Sequence, residues 1–386
     1  MNIATRLGVT SLLASALSLG LSSANAADLK VGFITSLSGP NASQGIPYSL
    51  GMKAASAFVP KVGDRNIQLI VLDDASDPSN AARNARKLVD DEKVDILIGS
   101  SSVPGTMAVA SVARETKTPQ IVMNPVNSPP EERGYTFAVV QPVDLMATAI
   151  LQKMKATGVR TVAYIGFSDA WGDLMYAELV KAAAVADIKV VSNERFARAD
   201  ASVTGQILKV IATRPDAVLT GTAGTAGALP YLALAERGYK GPIYGTHALV
   251  NGDFVRVGGA SVEGMLAPTG PVVVAEQLPA ENPVRKVALA FRDTYQKANG
   301  SAPADAYSAY AFDAWLLFAD AARRASAKGE PGTPQFREAL RDALASTRDV
   351  TGTHGVYNFK PGQMYGTDER ARVMVKLEKG NWKYQP

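Results

Sequence analysis

LKVGFITSLSGP, residues 29–40, joins a predicted strand to a polar loop. Residues 29–35 form a nearly continuous apolar run, which is typical of a strand buried in a parallel sheet. Residues 36–40 carry hydroxyl side chains, a glycine and a proline, the residue types that favour turns. In open α/β sheets, ligands bind beyond the carboxyl ends of the strands. The segment therefore predicts an α/β protein and places a candidate binding loop near its start.

The preceding residues have the pattern of an export signal. Arg6 is followed by a short apolar stretch at residues 7–23 and by the small-x-small triplet 24–26. The apolar stretch is too short to span a bilayer stably. We therefore expect a signal peptide at residues 1–26, cleaved after Ala26, and a protein released into the periplasm.

Composition excludes several classes of site. The chain has no Cys, which removes disulfides, thiol catalysis, thiolate metal ligands and a lipid-acceptor Cys. It has two His, His247 and His354, so a His-based zinc site is not expected, and we predict no cofactor and no metal. The net charge of +4 comes from 40 basic and 36 acidic residues without a basic cluster, so we expect no nucleic-acid partner.

Downstream, apolar strands alternate with helical patterns, which indicates doubly wound parallel sheets. In the first half we predict strands at 31–35, 67–72, 94–99 and 120–123, and helices at 47–59, 79–91 and 106–116. In the second half we predict strands at 161–167, 189–192, 217–220 and 243–244, and helices at 144–157, 172–186, 203–213 and 226–237. Helices at 283–299, 304–328 and 334–346 and a strand at 373–377 follow, so the chain is expected to cross back and complete both lobes.

The loops after these strands are rich in hydroxyls, amides and glycines. They are residues 36–40, 100–105, 124–128, 168–172, 221–225 and 246–248. Such loops can hold a carboxylate through neutral donors, although Ser, Thr, Asn and Gly also populate ordinary turns and helix caps. Their common position at the edges of two sheets favours a binding cleft between two lobes.

Catalytic motifs are absent from the sequence. No nucleophile elbow, zinc-protease motif, Walker loop or dinucleotide fingerprint follows a strand. Residues 221–227 are rich in glycine but lack the lysine of a phosphate-binding loop, and glycine also serves tight strand-to-helix packing. We therefore predict a binding protein and not an enzyme.

With these loops in order, the chain resembles periplasmic solute-binding proteins of ATP-binding-cassette (ABC) importers, in the Leu/Ile/Val-binding branch. The resemblance rests on VGFITSLSGP at 31–40, LDDASDP at 72–78, LIGSSS at 97–102, RGYTF at 133–137 and DAWG at 169–172. It implies two flavodoxin-like lobes joined by a three-segment hinge that close on a solute.

The resemblance also implies a division of the chain. Lobe one would comprise residues 28–145 plus 274–352, and lobe two residues 146–273 plus 353–386. A protein of this kind is expected to be a monomer that binds a small-molecule solute and docks on a membrane permease.

The ligand contacts that the resemblance implies lie in both lobes. Lobe one would hold a carboxylate through Ser101 and Ser102, or the adjoining Val103 and Thr106, and through Asn127 and Ser128. Trp171 would pack on the ligand, Gln44 would stand at a pocket position that is often aromatic, and Tyr307 would offer a second ring face.

The sequence departs from the amino-acid binders of this branch at two positions. His247 stands where an acidic residue usually pairs with the α-ammonium, and Thr222 and Ala223 stand where a Tyr often assists. Burying an ammonium without such partners costs several kcal/mol. A His could instead donate to a carboxylate or hydroxyl, which favours an acid or amide without the amine. The ring faces of Trp171 and Tyr307 would suit an aromatic one. The alternative is that His247 is an ordinary loop residue.

Three functional hypotheses follow. The first is delivery of a small organic solute, a carboxylic acid or amino-acid-like compound, to an ABC permease. The second is a sensory module that reports the same kind of solute to a signalling partner. The third is a secreted enzyme, for which His247 would be the residue to test.

Overall fold

The computed structural model describes residues 27–126 and 134–386. The predicted signal peptide, Asn127 and Ser128 lie outside the described residues. The helices are α1 (Ala42–Phe58), α2 (Pro78–Asp90), α3 (Val103–Glu115), α4 (Val143–Ala156), α5 (Ala170–Ala186), α6 (Thr204–Ala212), α7 (Leu229–Glu236), α8 (Gly252–Gly258), α9 (Arg285–Asn299), α10 (Tyr307–Ala325) and α11 (Pro334–Ala345).

The strands are β1 (Leu29–Thr35), β2 (Lys61–Val62), β3 (Arg65–Asp73), β4 (Ile96–Gly99), β5 (Gln120–Val122), β6 (Thr136–Ala138), β7 (Thr161–Phe167), β8 (Lys189–Phe196), β9 (Ala217–Gly221), β10 (Ile243–Gly245), β11 (Leu266–Thr269), β12 (Val350–Thr351), β13 (Val356–Tyr357), β14 (Val373–Glu378) and β15 (Asn381–Gln385). Short 3-10 helices, among them His247–Leu249 and Pro271–Gln277, join some of them.

The first sheet has the strand order β2-β3-β1-β4-β5-β6. Strand β1 lies inside it, parallel to β3 on one side and to β4 on the other. Its residues are buried except Lys30, because helices cover both faces of a parallel sheet. This is the buried strand that the opening segment of the sequence predicted.

The second sheet has the order β15-β14-β11-β10-β9-β7-β8. Strands β7 to β11 run parallel, and the hairpin β14–β15 adds two antiparallel strands at the β11 edge. The fold is therefore α/β with two doubly wound lobes, as the sequence predicted.

Within the described residues the chain passes between the sheets three times. The first crossing joins β6 to α4, the second begins at Gly270 after β11, and the third joins β13 to β14. Helices α9 and α10 pack against α1 of the first lobe, with the rings of Phe58 and Phe312 5.1 Å apart. The late helices thus complete the first lobe and the last strands complete the second. The residue boundaries of the lobes stay a prediction.

Most predicted elements are present, and the differences have identifiable causes. Helix α1 begins at Ala42 and not at residue 47, so Pro47 lies inside it. Strand β8 continues to Phe196, beyond the predicted end at residue 192, because its polar second half pairs with β7. Strand β15 was not predicted. It follows a tight turn in which Lys379 and Gly380 both have positive φ.

Candidate ligand-binding site

A narrow cavity lies between the lobes, beyond the carboxyl ends of strands from both sheets. The volume open to the centre of a water molecule is about 20 Å³, so the two lobes lie close together at this point. Its lining residues come from both lobes and from α10, and they are Gln44, Tyr48, Val103, Met123, Asn124, Pro125, Val140, Trp171, Arg198, Ala223, His247, Ala248, Tyr307 and Tyr310.

Aromatic rings form much of the wall. Tyr48 and Tyr307 meet edge to face with centroids 5.3 Å apart. Their hydroxyls are used in the wall itself: Tyr48 donates to the carbonyl of Met123 at 2.9 Å, and Tyr307 donates to the carbonyl of Ala248. Burial raises the pKa of both Tyr48 and Tyr307, so both remain neutral. These rings therefore offer apolar surface to a ligand.

Trp171 is placed by the start of α5. The Asp169 carboxylate accepts from the backbone N–H of Trp171 at 3.0 Å and of Gly172 at 3.2 Å, which caps the helix. The Trp171 indole N–H donates to the carbonyl of Thr222 at 3.3 Å. Both contacts fix the ring at the cavity.

Two buried polar atoms of lining residues have no hydrogen-bond partner among the described residues. They are Nε2 of Gln44 and Nδ1 of His247. Gln44 lies in the first turn of α1, in the first lobe, and His247 follows β10 in the second. A buried polar group without a partner costs about 1–3 kcal/mol, so a ligand that bonded to these atoms would regain that energy.

Burial sets the charge of His247. Desolvation lowers the pKa of its imidazole to about 4, and its side chain forms no ion pair among the described residues. At neutral pH the ring is therefore uncharged. Either ring nitrogen can then be the donor, since the tautomer depends on the partner.

Arg198 brings a cation to the cavity. Its Nε donates to Asp169 at 2.6 Å, its Nη1 donates to Asn41 at 3.2 Å, and its guanidinium lies 4.1 Å from the ring centroid of Phe167. Its Nη2 forms no hydrogen bond with the described residues. Among the described lining residues none is Asp or Glu, so Arg198 is the charged member of that lining.

Hydrogen bonds across the cleft hold the two lobes together. Asn251, at the start of α8, donates to the backbone carbonyl of Ser43 at 2.5 Å, and the Ser43 hydroxyl accepts from the backbone N–H of Thr225 at 3.2 Å. The Ser43 carbonyl would normally bond to the N–H four residues later, but that residue is Pro47, which has none. Pro47 thus leaves an acceptor free for the opposite lobe.

The structure brings some of the predicted site residues together. Those that line the cavity are Gln44, Val103, Trp171, Ala223, His247 and Tyr307. The other predicted site residues that the structure describes form hydrogen bonds within their own lobes. Ser101 bonds to Thr35 at 2.7 Å, Ser102 caps α3, Thr106 bonds to the carbonyl of Ser100 at 3.1 Å, and Thr222 bonds to the carbonyl of Gly227 at 3.5 Å. Their direct ligand contacts stay predictions, as do those of Asn127 and Ser128.

Several lining residues were missed for structural reasons. Arg198 follows β8, whose end was predicted too early to draw attention to that loop. Tyr48 lies one turn after Gln44 in a helix predicted to begin only at residue 47. Tyr310 lies three residues after Tyr307 on α10, and this spacing places both on one helix face.

A wider groove of about 730 Å³ lies over α4 and α5. Most of its lining side chains belong to these two helices, among them the 87% exposed Val185, and the others are Val126, Pro142 and Tyr365. In the described part of the chain, no helix is long and apolar enough to cross a membrane, and no cluster of His, Asp and Glu is suited to a metal ion.

Comparison with known proteins agrees with this architecture. The periplasmic binding protein family model matches residues 28–372. An extracellular ligand-binding receptor from Rhodopseudomonas palustris HaA2 is 39% identical, with a TM-score of 0.87 over 93% of this chain and 99% of that one. Leu/Ile/Val-binding protein homolog 6 of Brucella abortus is 36% identical over 113 residues, which span 29% of each protein.

A more distant solute-binding protein from R. palustris, solved in complex with benzoate, has a TM-score of 0.75 at 21% identity. The match covers 92% of this chain and 95% of that protein. At 21% identity it shows that the two proteins share a fold. The chain therefore belongs to the periplasmic binding protein family, in the type I group that includes the Leu/Ile/Val-binding proteins.

Proposed function

We propose that this protein captures a small carboxylic acid that lacks an α-amine, with an aromatic or similarly flat apolar body, and delivers it to an ABC permease. The observation that carries the proposal is the make-up of the cavity lining. The lining combines the rings of Tyr48, Trp171, Tyr307 and Tyr310 with one cation, Arg198, and no carboxylate is among the described lining residues.

Charge complementarity separates the two ligand classes. A carboxylate at Nη2 of Arg198 would gain a charge-assisted hydrogen bond, and further donors are available from Gln44 and His247. An amino acid would also bury its ammonium near Arg198. The nearby Asp169 carboxylate is already paired with Arg198 at 2.6 Å, so the ammonium would have no counter-charge of its own, which costs several kcal/mol. The amine-free acid is thus favoured, while amino acids are the competing class suggested by the names of the Brucella relatives.

The family implies an extracytoplasmic location, and we infer export through cleavage after Ala26. The intact mass of the protein recovered from the periplasm tests this directly. A mature chain that begins at Ala27 is expected.

Delivery and sensing differ in the partner. Genes for a permease and an ATPase beside this gene would support transport, whereas a histidine kinase or regulator there would support the sensory alternative. Turnover of an ester, amide or glycoside that disappears on changing His247 would instead indicate an enzyme.

The binding proposal is tested by thermal unfolding of the mature protein with benzoate as the probe. A ligand that binds only the folded state raises the melting temperature by mass action. We expect a rise that persists in the presence of a chelator. A rise abolished by the chelator would show that binding needs a metal.

A further inference from the structure

Tyr310 links the ligand cavity to the hinge. Its ring lines the cavity, and its side chain is 1% exposed. Its hydroxyl donates to Oε1 of Gln141 at 2.5 Å. Gln141 lies in the first crossing, between β6 and α4. The side chain of Tyr310 therefore contacts both the binding site and a segment that must bend when the lobes move.

Gln141 extends this link to the third crossing. Its Nε2 donates to the backbone carbonyl of Ala371 at 2.7 Å, two residues before β14 begins. Gln141 is fully buried. Its amide therefore fixes the first and third crossings relative to each other, and the hydroxyl of Tyr310 fixes the amide.

His354 connects Tyr310 to the second crossing. It lies in the turn between β12 and β13, and its ring stacks on Tyr310 with centroids 3.8 Å apart and planes 11° apart. Its Nε2 lies 3.1 Å from the carbonyl of Ala306, which can only accept, so Nε2 carries the hydrogen. A side chain at Gly270 would place its Cβ 1.7 Å from Nδ1 of His354, so the backbone of the second crossing rests directly on this ring.

We propose that Tyr310 is a positioning residue that sets the angle between the lobes, and that Tyr310, Gln141 and His354 form a hinge clasp. The cavity wall and all three crossings meet at this clasp. A ligand that packs against the ring of Tyr310 immobilises the residue that holds the crossings, which joins occupancy of the cavity to closure. The proposal depends on the two-lobe fold and not on the class of ligand.

The test measures the distance between the lobes in the ligand-free protein. Because the sequence has no cysteine, Ser79→Cys and Ala199→Cys provide unique sites for two spin labels. Both residues are exposed. Ser79 follows β3 in the first lobe, and Ala199 follows β8 in the second lobe. Pulsed electron paramagnetic resonance then gives the interlobe distance distribution for each variant.

Tyr310→Phe keeps the ring and its stacking but removes the bond to Gln141, and Gln141→Leu removes that bond together with the bond to Ala371. We expect both to add a population at longer distance than in the parent. The double variant should shift no further than Gln141→Leu alone, because Gln141→Leu already removes the bond that Tyr310→Phe removes.

Tyr231→Phe is the matched control. It removes a buried hydroxyl that bonds to Thr220 at 2.9 Å within the second lobe, so it should leave the interlobe distribution unchanged. Unchanged distributions in both Tyr310→Phe and Gln141→Leu would overturn the proposal. A shift equal to theirs in Tyr231→Phe would also overturn it, because loss of stability alone would then explain the effect.

Discussion

The rings of Trp171 and His247 meet edge to face, with centroids 5.6 Å apart and planes at 83°. The indole N–H is bonded to the carbonyl of Thr222, whereas Nδ1 of His247 has no partner among the described residues. The pair thus gives one wall of the cavity an apolar face beside an available polar atom. This combination suits a ligand that has a flat apolar body and an oxygen at one end.

Trp171→Ala should remove most of the affinity while leaving the fold intact. Loss of a buried aromatic contact at the centre of a binding site costs about 3 kcal/mol, or about 100-fold in Kd. Titration calorimetry with benzoate measures the change. Trp382→Ala, which removes a half-buried ring from β15, is the control and should leave Kd unchanged. Equal affinities for the parent and Trp171→Ala would show that the ligand binds elsewhere in the protein.

Arg198→Gln should weaken binding of a carboxylate by about 30-fold, since hydrogen bonds to charged groups contribute about 1.5–3 kcal/mol. Arg195→Gln is the matched control. Arg195 lies on β8, three residues before Arg198, and contacts the rings of Tyr164 and Tyr176, but it does not line the cavity. Calorimetry should show nearly unchanged binding for Arg195→Gln. If both variants lost affinity equally, a specific role of Arg198 would be excluded.

His247 should make the protein less stable in acid. The pKa of His247 is about 4 in the folded protein because of burial, and about 6.5 when it is exposed by unfolding. As the pH falls below 6.5 the unfolded chain takes up a proton first, so stability is lost down to pH 4. Burial raises the pKa of Asp305 and Asp313 to about 6, and these groups act in the opposite direction over this range.

Comparison of the parent with His247→Gln isolates the contribution of His247. Between pH 7 and pH 4.5 the free energy of unfolding should fall by about 2 kcal/mol more in the parent than in the variant. Urea unfolding of the ligand-free proteins at both pH values provides the measurement. Parallel losses in the two proteins would mean that His247 is not buried and neutral.

Pro47→Ala should weaken closure without destabilising α1. The new N–H can bond to the Ser43 carbonyl within the helix, and this bond competes with the donor from Asn251 in the opposite lobe. We expect an unchanged or higher melting temperature and an affinity for benzoate lower by about fivefold, equivalent to one hydrogen bond. Ser43→Ala, which removes the bond to Thr225, should lower the affinity to a similar extent. Unaltered affinity in both variants would show that these bonds do not contribute to closure.

Local sequence patterns predicted the elements whose burial and start signals are strong. Strand β1 has a nearly continuous apolar run. Helix α2 begins at Pro78, directly after the capping residue Asp77, and the carboxylate of Asp77 accepts from the backbone N–H of Asn80 at 2.8 Å. The start of α1 was missed because Pro47 is typical of a first turn, and its interior position is explained only by a partner in the other lobe.

Fewer of the candidate site residues were predicted, because several of them also depend on contacts between distant parts of the chain. Trp171 and His247 follow strands that the sequence pattern marked, and the resemblance to the family then singled out these two positions; both line the cavity. Arg198 and Tyr310 depend on a strand extended by pairing with β7 and on a helix that returns from the end of the chain. Such long-range contacts leave no local pattern.

The most direct test of the ligand proposal is calorimetry with pairs of ligands that differ only in the α-amine: 3-phenylpropanoate against L-phenylalanine, and 4-methylpentanoate against L-leucine. We predict that the acid of at least one pair binds at least tenfold more tightly than its amino acid, because none of the described lining residues is an Asp or Glu that could pair with the ammonium. Tighter binding of the amino acid in these pairs would contradict the proposal and assign the cleft to amino acids.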